Sequence, residues 1–348
     1  MKKLTIAIAA LALPSIVLAQ DEPEAAPSPN QIVEEASADE WVAIAAEDLL
    51  VMTLAPDAQG REREVILQLM PAPFSQGWVE NIRTLARAEW YDGISVNRVQ
   101  DNYVVQWGDP GHDNPESGEV ETKPLPEGLN VMGEEDYVAR PPSAFSGPEQ
   151  FERAVLNGAI AGGFDINNPP EAPFDADEMF LRDRYSAAAI IGRGWALGGS
   201  REEGVWPVHC YGMVGVGRSY SPDTGSGAEL YTVIGHAPRH LDRNIALVGR
   251  IISGMEHLSS LPRGSGALGF YTDEEAELRT PIQSIRVAAD LPAAHQPRFE
   301  YLSTEGATFA RYAEARTNRR DPFFIVPAGG ADICNIPVPV RVVSDDKE

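Results

Sequence analysis

The chain has 348 residues, of which 43% are hydrophobic, enough for one large domain or two smaller domains with ordinary cores. Its formal net charge is −24 at pH 7. Such strong acidity argues against nucleic acids and anionic lipid surfaces as partners, because both carry the same sign of charge.

The first residues follow the three-part pattern of a secretory signal peptide. Lys2 and Lys3 precede an apolar run over residues 4–18, and Val17 and Ala19 occupy positions −3 and −1 of a cleavage site. We expect cleavage after Ala19, which removes both lysines and changes the formal charge from −24 to −26. The alternative, an uncleaved anchor, is disfavoured because the apolar run is short for a membrane span. The mature protein is therefore expected to be periplasmic or secreted, with no membrane insertion after signal cleavage.

The next segment, residues 20–38, is rich in Asp, Glu, Pro, Ala and Ser, which predicts a solvated leader without regular structure. Strands are then predicted over 46–54 and 65–70. The apolar spacing of Trp78, Val79, Ile82 and Leu85 predicts a helix beginning near Ser75.

The central and C-terminal parts contain more short strands than helices. An extended segment is predicted over 96–106, followed by a long insertion at about 111–205 in which Ser146 begins a helix that ends near Leu156. Further strands are predicted over 208–217, 229–234, 245–252 and 282–288, with a short helix over 255–261. The last sixty residues contain a helix over about 306–317 and apolar segments over 323–327 and 336–343. Many short strands and few helices favour an all-β barrel or sandwich.

Two cysteines, Cys210 and Cys334, lie 124 positions apart. In an oxidising compartment a disulfide between them is one interpretation, and two buried free thiols are the other. The spacing does not discriminate between these alternatives.

Two segments carry motifs that resemble those of a known enzyme family. In the first, Trp90-Tyr91-Asp92-Gly93 leads through Asn97-Arg98 to Gln106-Trp107-Gly108-Asp109; it resembles the family's Tyr-Asp-Gly turn, its Phe-His-Arg strand and its Gln-Gly-Gly-Asp run. In the second, Leu241-Asp242-Arg243 leads to Val248-Gly249-Arg250 and Gly254-Met255; it is similar to the family's Leu-Asp-Gly run, Gly-Lys/Arg-Val strand and Gly-Met helix start. Pro71-Ala72-Pro73 and residues 225–234 match two further family elements in the same order. Together, these four pieces resemble the cyclophilin-type peptidyl-prolyl isomerases.

The resemblance implies a mainly β fold, a closed eight-stranded antiparallel β-barrel capped by two helices. This cyclophilin-like domain would span 39–292, with the insertion at about 111–205, and residues 293–348 would form a C-terminal extension. We expect the extension to pack on the barrel through Phe323, Phe324 and the 336–343 segment, so that truncation after Pro292 lowers stability.

The resemblance also implies a site. Arg98 would be the catalytic residue, with Gln106 beside it. Tyr103, Val104, Tyr231 and Leu241 would line the pocket for the proline ring, and Gly217 and Glu229 would complete the substrate-binding groove. The substrates would be proline-containing polypeptides, bound by a monomer without a cofactor or a metal.

Several positions depart from the family pattern. Asn97 replaces a family His, Glu229 a Gln, His240 a Trp and Ile245 a His. Glu229 could neutralise the charge of Arg98 or could orient its guanidinium. The main hypothesis is a peptidyl-prolyl isomerase acting on exported proteins, with activity that is reduced or altered. The alternative is a catalytically weak or inactive cyclophilin-like module that binds proline-containing segments or acts as a chaperone.

A hydrolase or metalloenzyme is a more distant alternative. The six histidines, at positions 112, 209, 236, 240, 257 and 295, form none of the usual zinc-binding spacings. There is also no nucleophile-elbow or Cys-x-x-Cys motif. Gly215-x-Gly217 lacks the third glycine and the helix of a dinucleotide fingerprint.

Overall fold

The computed structural model describes residues 25–109, 122–139, 183–200 and 203–343. The predicted signal peptide and the helix predicted over 146–156 lie outside these residues. The helices are α1 (Pro29–Glu34), α2 (Gln76–Arg87), α3 (Glu256–Ser259) and α4 (Ala307–Thr317). The strands are β1 (Trp41–Ala43), β2 (Leu49–Leu54), β3 (Arg63–Leu69), β4 (Ser95–Val99), β5 (Val104–Gly108), β6 (Ala188–Gly192), β7 (Trp195–Ser200), β8 (Gly204–Pro207), β9 (Met213–Val216), β10 (Glu229–Val233), β11 (Leu247–Ser253), β12 (Ile282–Val287), β13 (Phe299–Leu302) and β14 (Val340–Val342).

Eight strands form one antiparallel sheet in the order β12-β2-β3-β11-β9-β10-β5-β4. Its two edge strands meet at their ends, where the Gly93 amide donates to Ile282 O (3.0 Å) and the Ile282 amide donates to Ile94 O (2.8 Å). A bridge between Ser95 and Pro281 continues this contact. The sheet is therefore a nearly closed barrel, and the predicted eight-stranded fold is confirmed.

Helix α2 buries the face that the sequence predicted. Trp78, Val79, Ile82 and Leu85 are all fully buried in the main core, which they share with inward-facing barrel residues such as Trp107. The helix begins at Gln76, one residue after Ser75, whose side chain makes no capping hydrogen bond. The short helix predicted over 255–261 is present as the single turn α3.

The extended segment predicted over 96–106 is instead a β-hairpin. Strands β4 and β5 pair antiparallel, and residues 100–103 form the turn between them, with Asn102 in the left-handed region (φ 51°). The sequence prediction missed this turn, for which Asp101-Asn102 is the local signal. The consequence is functional, since the hairpin places Arg98 directly opposite Gln106.

The leader and the C-terminal extension form one module. Strands β1, β13 and β14 make a three-stranded sheet, and α1 packs against α4. Ile32 and Trp41 are buried there with Leu302, Phe309 and Tyr312. The prediction of a leader without regular structure is therefore wrong for residues 29–34, because an apolar surface 270 or more residues later in the chain covers Ile32.

The described part of the insertion is also ordered. Strands β6, β7 and β8 form a separate antiparallel sheet. Cys210, three residues after β8, forms a disulfide with Cys334 of the C-terminal extension. Ala189, Val208 and Ile333 pack around this bond. The disulfide alternative is the one that the structure adopts.

Docking of the extension through Phe323 and Phe324 is wrong. The Phe323 side chain is 84% exposed and that of Phe324 39%, while the following Ile325 is 95% exposed. Phe324 instead stacks against the guanidinium of Arg319, with 4.3 Å from Cζ to the ring centre.

Among the described residues, no helix is long and apolar enough to cross a membrane.

Candidate active site

The candidate site lies on the outer face of the barrel, on the β4–β5 hairpin and the adjacent β10. Side chains alternate between the two faces of a strand. Val105 and Trp107 therefore point into the main core, whereas Val104 and Gln106 point outward. In β10, Tyr231 pairs with Gln106 and shares its outer face.

Arg98 is held by three contacts. Its Nε donates to the carbonyl oxygen of Leu268 (2.7 Å) and its Nη1 donates to Gln106 Oε1 (2.8 Å). Its Nη2 donates to Gln100 Oε1. The guanidinium also lies over the rings of Tyr103 (5.6 Å) and Phe270 (5.3 Å). Arg98 is thus a half-buried, fixed cation with aromatic faces on two sides.

Gln106 connects Arg98 to Glu229. While its Oε1 accepts from Arg98, its Nε2 donates to Glu229 Oε1 (2.5 Å). Because a carboxylate only accepts hydrogen bonds and a guanidinium only donates them, Glu229 and Arg98 together fix which way the Gln106 amide faces. Gly217 adjoins Glu229. The Glu229 side chain packs against the Gly217 backbone, and the Gly217 amide donates to Glu229 O (2.8 Å).

An apolar cluster adjoins the cation. Val104, Tyr231 and Val233 are buried, and Tyr103, Leu241 and Ile245 are partly buried against them. Tyr103 belongs to both parts of the site, because its ring also faces Arg98. Burial raises the pKa of the Tyr103 hydroxyl, although the positive charge of Arg98 opposes that shift.

All eight predicted site residues therefore lie in one continuous region. Arg98, Gln106, Glu229 and Gly217 form its polar side, and Tyr103, Val104, Tyr231 and Leu241 form its apolar side.

The substituted family positions surround this region. His240 stacks on Tyr103 with its ring 6.3 Å away and nearly parallel, and Ile245 joins the apolar cluster. Asn97 is 7% exposed and lies at the β-bulge of β4. Its side-chain amide has no hydrogen-bond partner among the residues that the structure describes.

Sequence reasoning missed three contacts of Arg98. Gln100 follows Arg98 by two positions and so shares its strand face, a signal that was available. Leu268 and Phe270 come from a loop about 170 residues later, and nothing in their local sequence indicates this contact.

Within the described ranges, no group of three or more His, Cys, Asp or Glu side chains is arranged to hold a metal ion.

Comparison with known families agrees with this geometry. The family model described as cyclophilin type peptidyl-prolyl cis-trans isomerase/CLD matches residues 67–287, well over half of the chain. The protein belongs to the cyclophilin-type peptidyl-prolyl cis-trans isomerase family. It is accordingly a peptidyl-prolyl isomerase by class, a family that binds proline-containing polypeptides.

One of the solved structures supports the same fold. The crystal structure of cyclophilin AquaCyp293 from Hirschia baltica matches with a TM-score of 0.56 and 20% identity, over 90% of this chain and 100% of that chain. A cyclophilin type peptidyl-prolyl cis-trans isomerase from Cryptosporidium parvum matches more weakly, with a TM-score of 0.34 and 11% identity, over 69% of this chain and 96% of that chain. A search of curated proteins found no significant match.

Proposed function

We propose that this protein catalyses cis–trans isomerisation of Xaa–Pro bonds in exported proteins, with Arg98 stabilising the twisted amide. The observation that carries the proposal is the fixed guanidinium of Arg98 beside the apolar cluster of Tyr103, Val104, Tyr231 and Leu241. The cluster would receive the proline ring, and the cation would then lie near the prolyl nitrogen.

The reaction needs no bond to be made or broken. Amide resonance creates a rotational barrier of about 18–20 kcal/mol. In the twisted amide the nitrogen becomes pyramidal and gains a lone pair. A positioned donor stabilises that state more than the planar one, which lowers the barrier. Arginine suits this role because it stays protonated and its planar fork can be held rigidly.

Glu229 would act as a positioning residue for this step. By accepting from Gln106 Nε2, it turns Gln106 Oε1 toward Arg98. A glutamine at position 229 could either donate or accept, so it would no longer impose one orientation on Gln106. Of the two roles open for Glu229, the contacts favour orientation of the guanidinium.

Export is part of the proposal. The pattern of residues 1–19 favours a cleaved signal peptide and a periplasmic or secreted protein. The disulfide between Cys210 and Cys334 supports this location, because such bonds persist in oxidising compartments. Expression of the full chain in a Gram-negative host, followed by mass spectrometry of the periplasmic fraction, should find a mature N-terminus at Gln20. An unprocessed chain in the cytoplasm would contradict export.

The activity is tested with a protease-coupled assay on a prolyl tetrapeptide. We expect Arg98→Ala to lower kcat by about 10²–10³-fold, the usual loss for one positioned donor. Arg61→Ala is the matched control, since Arg61 is an exposed arginine whose ion pair with Asp57 lies in the turn between β2 and β3. Glu229→Gln should lower kcat by a smaller factor.

Three results separate the alternatives. Equal rates for the wild type and Arg98→Ala would refute the catalytic role of Arg98. No turnover in either protein, combined with peptide binding detected by NMR titration, would favour the inactive binding module. A higher kcat in Glu229→Gln would show that Glu229 opposes the charge of Arg98 rather than orienting it.

A further inference from the structure

A buried chain of hydrogen bonds begins behind the apolar cluster. The Tyr231 hydroxyl lies 2.9 Å from His209 Nε2, and His209 Nδ1 lies 2.8 Å from Asp242 Oδ1. The same Asp242 oxygen accepts from the His209 backbone amide (3.0 Å). His209 is 0% exposed and Asp242 is 3% exposed. These groups lie beneath the pocket wall, so they act on it without facing the substrate.

The direction of each hydrogen bond follows from the partners. Burial lowers the pKa of His209, although the hydrogen bond to Asp242 opposes that shift, so the ring is neutral at pH 7. Asp242 can only accept, which places the single ring proton on Nδ1. Nε2 is then an acceptor, and the Tyr231 hydroxyl donates to it. The chain is therefore polarised from the pocket toward Asp242.

The chain of hydrogen bonds continues from Asp242 to the inserted segment. Arg239 Nε donates to the other oxygen of Asp242 (2.7 Å), and its two terminal nitrogens donate to Asp183 (3.1 and 2.6 Å). The side chains of Arg239 and Asp183 are 3% and 4% exposed. Ser186 donates to Asp183 (2.5 Å) and the Tyr185 ring covers the guanidinium at 4.7 Å. Asp183 lies five residues before β6, within the insertion.

Two further contacts couple this chain to the shape of the pocket. Asp242 directly follows Leu241, a pocket residue. A β-carbon added to Gly215 would lie 2.3 Å from the Tyr231 hydroxyl oxygen, so glycine is needed on β9 for the hydroxyl to reach His209. Both walls of the pocket, Tyr231 and Leu241, are thus held from behind by the same chain.

We propose that Asp183 is a positioning residue for the isomerase reaction, acting through Arg239, Asp242 and His209 on Tyr231 and Leu241 of the proline pocket. The inserted segment thereby sets how well the pocket accepts a proline ring. This inference rests on the proposed function of the pocket. The side chain of Asp183 bonds to Arg239 and Ser186 and acts through the pocket wall, so we expect its effect to fall on substrate binding rather than on stabilisation of the twisted amide.

The test compares KM and kcat for four proteins, namely the wild type, Asp183→Ala, Tyr231→Phe and the double variant. We expect Asp183→Ala to raise KM by about fivefold and to change kcat by less than about twofold, because it removes binding common to the ground state and the transition state. In the Tyr231→Phe background the effect of Asp183→Ala on KM should shrink to less than half, since contacting residues are not additive. Asp321→Ala is the matched control, as Asp321 also forms a two-bond ion pair, with Arg319 in the C-terminal extension.

An unchanged KM in folded Asp183→Ala, or the same fold-change in KM in both backgrounds, would overturn the inference. The proposed function would stand as long as the wild type is active and its turnover depends on Arg98. Equal turnover in the wild type and Arg98→Ala would instead refute the proposed function. If Asp183→Ala does not fold, Asp183→Asn replaces it, and histidine ring ¹⁵N shifts of the wild type give an independent check. Protonation of His209 at Nδ1 with bare Nε2 is expected; the opposite tautomer would break the chain and refute the proposal.

Discussion

The disulfide between Cys210 and Cys334 allows a quantitative test of how the C-terminal extension is attached. It closes a loop of 124 residues. In the chain-entropy treatment, a loop of this length reduces the freedom of the unfolded chain by an amount equivalent to about 5 kcal/mol at 25 °C. Reduction restores that freedom. The surrounding side chains, Ala189, Val208 and Ile333, still pack in the folded state, so the loss should arise mainly from the unfolded state.

We therefore expect reduction to lower the free energy of unfolding by about 3–5 kcal/mol. Urea unfolding followed by tryptophan fluorescence, with and without dithiothreitol, measures this difference. The slope of the free energy against urea should also rise, because a chain without the cross-link exposes more surface when it unfolds.

The matched control is the double variant Cys210→Ala/Cys334→Ala. It should be as stable as the reduced wild type and insensitive to dithiothreitol. A loss below about 1 kcal/mol on reduction would refute the loop-closure reasoning. It would mean that the unfolded chain is already compact between these positions.

Two further predictions concern stability. Ending the chain at Pro292 should lower the melting temperature more than Cys210→Ala/Cys334→Ala does, because it also exposes the buried Trp41 and Ile32; equal melting temperatures would contradict this. Burial lowers the pKa of His209 from 6.5, so the unfolded chain binds a proton that the folded chain does not. The contribution of neutral His209 to the free energy of unfolding should be fully present above pH 6.5. Below pH 6.5 it should decrease by at most about 1.4 kcal/mol per pH unit. His209→Gln should lose this dependence between pH 6.5 and 5 in urea unfolding, and identical profiles for the two proteins would refute the assignment.

One part of the site was accessible from the sequence because its residues are close along the chain. Arg98 and Gln106 are eight residues apart and face each other across one hairpin. The order of the family motifs then brought β10 and Leu241 to the same place. The pattern of short strands favoured a barrel or a sandwich, and the family resemblance implied the eight-stranded barrel that the structure shows.

Other features depend on contacts between distant segments. The composition of the leader predicted no structure, yet Ile32 is buried because α4 and β13 provide a surface for it. The apolar Phe323 and Phe324 were expected to pack on the barrel, but both are exposed. The composition of a segment indicates the structure that it favours in isolation, and it does not indicate which distant segment packs against it.

By itself, the sequence determined the pattern of short strands, which acts over a few residues, and its family motifs implied the barrel and the residues of the pocket. Only the tertiary structure decided how these residues are held. Leu268 reaches Arg98 across 170 positions, and Asp183 reaches Arg239 across 56. Such partners are selected by closure of the barrel and by the requirement that buried charges be paired, and neither condition leaves a local pattern in the chain.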